Sequence, residues 1–356
     1  MGISTSEIKD LYFRFTARKI LFILASIGAV IGMGLIACTI GTIQIEINDI
    51  ASAILAKIFP FANIETSEFT EDIIWDIRLP RIIMAIIAGA GFAISGAVMQ
   101  GITRNPLVSP FTIGVSSAAA FGASIAIVLG FSLLGSEKYI VVTNAFIFAL
   151  ISAFLVLGLA RMRGITGETL ILAGIALMYL FSAFTSILQY IATEKQLQAV
   201  IHWTFGSLTG SSWNDVLVVS IIFFFCFPFL MKHSWDLNAI SGGDEVAKSL
   251  GVNLPQVRII CLILATIITA GIICFTGIIG FVCLVTPHIA RLLIGADHRF
   301  LLPFSCILGA LLLLIADTIG RNIISPVIIP VGIVTSIIGV PFFVYLLITR
   351  RKEYWT

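Results

Sequence analysis

Charge is scarce in this chain of 356 residues. Asp, Glu, Lys and Arg together make up 11% of it, where a soluble globular chain carries about 25%. With 59% hydrophobic residues and a mean hydropathy of +1.09, lipid is the solvent for most of the molecule. The net charge of +2 leaves no basis for nucleic-acid binding. The six cysteines (Cys38, Cys226, Cys261, Cys274, Cys283 and Cys306) all lie in apolar runs without metal-type spacing, and read as small buried hydrophobes. No small-residue cleavage site follows the first apolar run, so that run reads as a retained span. Acidic residues are nearly absent from mid-span positions, with Glu168 and Asp317 near span ends. That argues, weakly, against a proton-driven carrier.

What is present is a series of long apolar runs. A crossing helix needs about 20 such residues, and candidate spans cover 20–41, 81–101, 112–134, 140–160, 168–191, 213–231, 256–276, 279–295, 301–320 and 328–349. A short break at Phe275–Gly280 separates the seventh from the eighth. Ten spans put both termini on one side, and charge says which. Lys9, Arg14, Arg18, Lys19, Arg350, Arg351 and Lys352 flank the ends. Alternate loops add Arg104, Arg161, Arg163, Lys232, Lys248, Arg258, Arg291 and Arg299. The opposite loops hold only Lys57, Arg78, Arg81, Lys138, Lys195 and Arg321. The basic excess makes both termini cytoplasmic. The expectation is an all-α polytopic membrane protein, a single domain over 1–356. It has a cytoplasmic segment at 1–19, an acidic external segment at 42–77 with a short helix near Ile47–Phe59, and a cytoplasmic loop at 233–254.

The second span and the region from the seventh both open with Leu-Pro and arginine, become glycine-rich midway, and end in a polar Pro-containing turn. This suggests two five-helix halves of opposite orientation. Ala88 to Ala97 in the second span are crowded with small residues, which packing alone explains. Arg104, Asn105 and Pro106 then mark a tight cytoplasmic turn.

The segment Ser241 to Asn253, SGGDEVAKSLGVN, superficially suggests a phosphate loop. A Walker A loop needs a second glycine where Ala247 stands, and a β-strand before it where a span lies, so that reading fails. Ser241, Gly242 and Gly243 instead lead into a short helix. Ser241 and Asp244 form a capping pair, and Asp244 and Glu245 complement the helix N-terminus. Val246, Ala247 and Leu250 share a face, Lys248 lies among them, and Gly251 ends the helix. Such a stripe either meets a partner or lies on the bilayer surface.

Several phrases occur in order from residue 78 onward: RLPR (78–81), SGAVMQGITRNPLVSPFTIGVSSAAAFGA (95–123), HWTFGSL (202–208) and GDEVAKSLGVN (243–253). They continue with GFVCLVTPHIARLLIGADHRFLLP (280–303), ADTIGR (316–321) and PVGIVTSIIGVPFFVYLL (330–347). In these the chain resembles the FecCD/BtuC-type permeases of ABC importers for iron–siderophores, haem and vitamin B12. The first 77 residues add little specific wording.

The resemblance implies ten helices, a dimer of two permeases in a prokaryotic cell membrane, two ATP-binding subunits beneath and a substrate-binding protein outside. It also implies that ATP and Mg sit on the partners, with no cofactor on this chain and no bond chemistry. On residues alone, Arg78, Arg81 and Arg321 are interfacial anchors that snorkel. The resemblance makes them docking points for glutamates of the binding protein, a role suited to the arginine fork. Asp317, four residues before Arg321, either positions that arginine or neutralises it. The resemblance likewise makes 241–251 the helix that couples to the ATPase. His288 and Arg291 read as structural. An ion-driven secondary transporter is the main alternative. An intramembrane enzyme is a further one, without clustered nucleophile, base or ligands.

Overall fold

The computed structural model describes residues 5–41, 45–59, 61, 66–131, 133 and 139–349. The basic tail Arg350, Arg351 and Lys352, and Glu65 and Lys138, fall outside the described residues. Among the described residues the chain is helical, without strands. The helices are α1 (Thr5–Thr39), α2 (Ile47–Ile58), α3 (Glu68–Asp72, continuing as a π-helical turn over Ile73–Arg78), α4 (Leu79–Thr103), α5 (Val115–Leu129), α6 (Ile140–Arg163), α7 (Gly167–Ile191) and α8 (Glu194–Thr204). They continue with α9 (Trp213–Lys232), α10 (Ser234–Ser241), α11 (Asp244–Ser249), α12 (Leu254–Thr276), α13 (Val282–Ile294), α14 (His298–Asn322) and α15 (Val331–Thr349).

Seven of these regions are long and apolar enough to cross a membrane, and three shorter apolar helices (α5, α13 and α15) occupy the remaining candidate spans. The short ones have local causes. Pro106 and Pro110 deny a continuous helix after α4, and α5 starts only beyond Gly114, at φ 83°. Gly130, at φ 65°, then ends it, short of the expected 134. The break expected at Phe275–Gly280 runs from Gly277 to Phe281, both with positive φ. In the other direction, α1 extends the first span back to Thr5, absorbing most of the segment expected at 1–19. At 1.5 Å per residue its 35 residues reach about 50 Å, well beyond a hydrocarbon core of about 30 Å.

Burial ranks the helices. Of the apolar window in α1 only 6% is buried, against 83% in the helix that includes α4. So α1 is a lipid-facing rim and α4 is the hub. Leu21, Leu24 and Ile31 on α1 are exposed for that reason. Around α4 lie α14, α12, α13 and α9, and small residues set their distance. A Cβ on Gly89 would stand 2.2 Å from the Gly309 carbonyl oxygen of α14. One on Gly96 would stand 1.7 Å from the Cys283 carbonyl oxygen of α13. Backbone therefore touches backbone, which in lipid gains dispersion contacts that longer side chains would prevent. The contacts Arg81–Asp317, Gly89–Gly309 and Gly101–His298 make α4 and α14 an antiparallel pair along their whole length.

Three smaller elements escaped the sequence reading, the first being α3 with its π-helical turn, inside the expected external segment. Helix α8 begins at a Thr193–Gln196 capping box, a legible signal in a stretch too polar to count as a span. Helix α10 lies inside the expected loop 233–254. The expected external helix at Ile47–Phe59 forms as α2. It is held down where the Trp75 indole donates to the Ala53 carbonyl (3.2 Å) and the Trp213 indole donates to the Trp75 carbonyl (2.8 Å).

This packing predicts a contrast between glycines. Gly96→Ala forces backbone apart and should cost about 1–3 kcal/mol, read as a lower thermal midpoint of the detergent-solubilised protein. Gly32→Ala on α1, with nothing within 4 Å, should leave the midpoint in place.

Candidate functional site

The α4–α14 pair carries polar groups at both ends. At the first end, the N-terminus of α4 and the C-terminus of α14 bring together Arg78, Arg81, Asp317 and Arg321. None of the arginines snorkels outward: they are 5%, 7% and 7% exposed. Asp317 turns out to be shared. Its carboxylate accepts a fork from Arg81 (Nε 2.9 Å and Nη2 2.8 Å to Oδ1), a partner 236 residues away. Arg321 Nε lies 3.1 Å from the other oxygen, within ion-pair distance but off line for a hydrogen bond. Arg81 Nη1 also donates to Thr209 (3.2 Å), and Arg78 donates to the Cys38 carbonyl at the end of α1. Arg81 and Arg321 thus share one carboxylate, and with Arg78 they line a cavity of about 140 Å³, which Ile73, Ile77 and Ile328 also line.

At the second end, the segment after α9 forms two short helices. The expected capping pair does not form. Ser241 closes α10, where its hydroxyl donates to the Leu237 carbonyl (2.9 Å), and Gly243 at φ 113° is the residue before α11. Asp244 is drawn elsewhere: both its oxygens accept from Arg258 Nη2, at 2.9 and 3.0 Å. A charge-assisted bond outcompetes a serine cap. Gly251, at φ 83°, does end the helix. Its N–H donates to the Lys248 carbonyl and that of Val252 to the Ala247 carbonyl, a Schellman closure.

The expected apolar face also needs correction. Ala247 is fully buried against the protein, whereas Val246 (48% exposed) and Leu250 (67% exposed) point outward, one turn apart. Glu245 and Lys248 pair on the exposed surface at 2.8 Å. Gly242 and Gly243 connect the two helices, and the Arg104 guanidinium lies beside Gly243. Arg104 itself stands at φ 51°, and the Asn105 side chain accepts from the Leu107 N–H (3.0 Å), so the Arg104–Asn105–Pro106 turn forms next to the link between α10 and α11.

The sequence reading missed the residues that fasten this end. Asn238 of α10 donates to Asp297 (2.8 Å) and accepts from the His298 backbone N–H (2.8 Å), at the start of α14. Burial would raise the Asp297 pKa, but Arg299 and Asn238 donate to it and hold it down to about 2. Arg258 was counted only as a loop charge. An arginine inside a candidate span was the available signal. Arg291 donates to Gln100 (3.1 Å), a structural contact between α13 and α4. Among the described residues no three His, Cys, Asp or Glu converge as for a metal ion, and all six cysteines are buried and free.

The shared carboxylate generates a stability prediction. Asp317→Asn strands buried guanidinium charge and should cost about 3–5 kcal/mol of stability, measured by thermal unfolding in detergent. Asp76→Asn, at an exposed acid on the same end, should leave the midpoint unchanged.

Comparison with known proteins matches this arrangement to a family. Residues 29–349 match the model of the FecCD transport family. The chain is 39% identical to the hemin transport system permease protein HmuU of Yersinia pestis, over 80% of this chain and 86% of that one. It is 38% identical to the molybdate import system permease protein MolB of Haemophilus influenzae, over 94% and 96%. A solved transporter assigned to the metal-chelate ABC type, in an inward-facing conformation, superposes with a TM-score of 0.80 at 35% identity, covering 92% of this chain and 99% of that one. With its membrane-length helices, its glycine-packed hub and this match over most of its length, the chain belongs to the FecCD transport family, as a multi-pass permease subunit of an ABC importer.

Proposed function

We propose that the chain moves an iron–siderophore complex or a related metal chelate inward, powered by ATP hydrolysis in partner subunits. It works as a pair of permeases, with two ATP-binding subunits, carrying ATP and Mg, against α11. A substrate-binding protein docks over the Arg78–Arg81–Arg321 end. Both termini are cytoplasmic. Helices α4–α7 run long, short, long, long, and α12–α15 follow the same order with a shorter last helix, which supports an inverted repeat with α1 and α9 as the leading members.

One observation carries the coupling role. Val246 and Leu250 form a small exposed apolar pair on a short helix that Ala247 and Asp244 fasten to the bundle. An apolar pair held out in this way fits a protein cleft. The gathering of Arg78, Arg81 and Arg321 around one cavity at the far end of the same helix pair supports the docking role, since the guanidinium fork suits a partner carboxylate. The relative named for hemin and the metal-chelate neighbour support the substrate class. The relative named for molybdate indicates that this scaffold accommodates unlike cargo, so the binding protein does most of the selection.

Two experiments test the reading. Val246→Asp with Leu250→Asp should release the ATP-binding subunits on co-purification, and an unchanged yield contradicts the coupling role. Arg78→Gln should weaken binding-protein affinity by about 30-fold, the ~2 kcal/mol typical of losing one partner from a buried charge pair. Unchanged affinity contradicts the docking role.

A further inference from the structure

Arg258 is 3% exposed near the start of α12, and its guanidinium joins three other elements. Nε donates to the Ile102 carbonyl at the last turn of α4 (3.1 Å). Nη1 donates to the Ile165 carbonyl in the turn between α6 and α7 (3.0 Å). Nη2 donates to both oxygens of Asp244, the first residue of α11 (2.9 and 3.0 Å). Each acceptor suits a cation. The Ile102 carbonyl is among the four that a helix C-terminus leaves without a partner inside the helix, and the negative end of the α4 dipole points at it. Asp244 sits at the positive end of α11. Arginine spreads five donors over a rigid planar fork, so one side chain reaches all three at once, where a lysine ammonium would present its donors from a single point.

We propose that Arg258 is the positioning residue of the coupling helix. Through Asp244 it fixes the place of α11, and through Ile102 it ties that place to α4, so that a displacement of α11 pulls the hub helix with it. The inference rests on the coupling role proposed above for α11, and it adds the route by which motion enters the bundle. Other contacts at this end fit the same picture. Asn238 fastens α10 to the start of α14, so the segment is tied to both members of the pair. The exposed Val246–Leu250 edge stays clear for a partner.

The test sits on Asp244, because replacing the buried guanidinium leaves two carbonyls unmet and can unfold the end of α12. Spin labels at Lys248→Cys and Met162→Cys, both exposed sites, report the place of α11 in the full-length chain. The native cysteines are buried and stay unlabelled. The expected result is a single narrow distance in the wild-type background, a broadened or shifted one in Asp244→Asn, and recovery in Asp244→Glu, which restores the charge.

In the complex with its ATP-binding subunits and binding protein, the ratio of stimulated to basal ATPase should fall about tenfold in Asp244→Asn, within the usual range of a coupling free energy, and recover in Asp244→Glu. A distance that stays narrow and unshifted in Asp244→Asn overturns the positioning role. A broadened or shifted distance with an unchanged ratio overturns its part in coupling. The Val246→Asp, Leu250→Asp variant separates the levels. If it keeps its ATP-binding subunits, the coupling role of α11 falls first, and this inference with it.

Discussion

Helix α4 has no side chain at Gly89 and α14 has none at Gly309, and the two backbones meet there. Everything else in the molecule is arranged around that approach. Lipid offers no hydrophobic gain to helices that merely touch, so close backbone contact and internal hydrogen bonds must supply the attraction. Gly96 repeats the device against α13, and Ile268 and Ile272 of α12 pack against Gly91. The result is a central helix buried on nearly every face, with its antiparallel partner fixed in register.

A rigid pair of this kind has two ends, and each holds charge that lipid would not tolerate unpaired. At one end a single carboxylate, Asp317, serves Arg81 and Arg321 while Arg78 is held by the backbone of α1. At the other, Arg258 collects orphan carbonyls and Asp244, and Asn238 collects the Asp297–His298 turn. These networks differ in form. The Arg258 end pairs one guanidinium with one carboxylate, whereas at the other end two guanidiniums share Asp317 beside a small cavity.

Legibility in the sequence followed the range of the interactions. Apolar runs of the right length located the helices, because membrane thickness sets that length without reference to neighbours. The break near Gly277, the Arg104 turn and the Gly251 stop were legible because proline and glycine act on their own backbone. Asp317 was seen beside Arg321, four residues away, but its fork with Arg81 spans 236 residues and no local pattern announces it. Ser241 misled for a related reason. Its spacing to Asp244 satisfies a capping rule, yet Arg258, 14 residues from Asp244, takes the carboxylate. Ala247 was assigned to the exposed stripe because helical spacing gives faces but not which face is covered. The family resemblance supplied roles for the arginines and for α11 that no spacing contains.

If one rigid helix pair joins the two polar ends, motion at α11 is felt at the arginine end. Structures of the assembled importer, nucleotide-free and ATP-bound, measure this most directly. The account predicts that the Gly89–Gly309 approach and the Arg81–Asp317 fork persist in both states while α10 and α11 move together with α4 and α14. It is contradicted if α4 and α14 slide past one another between the states, or if α11 moves and the pair stays still.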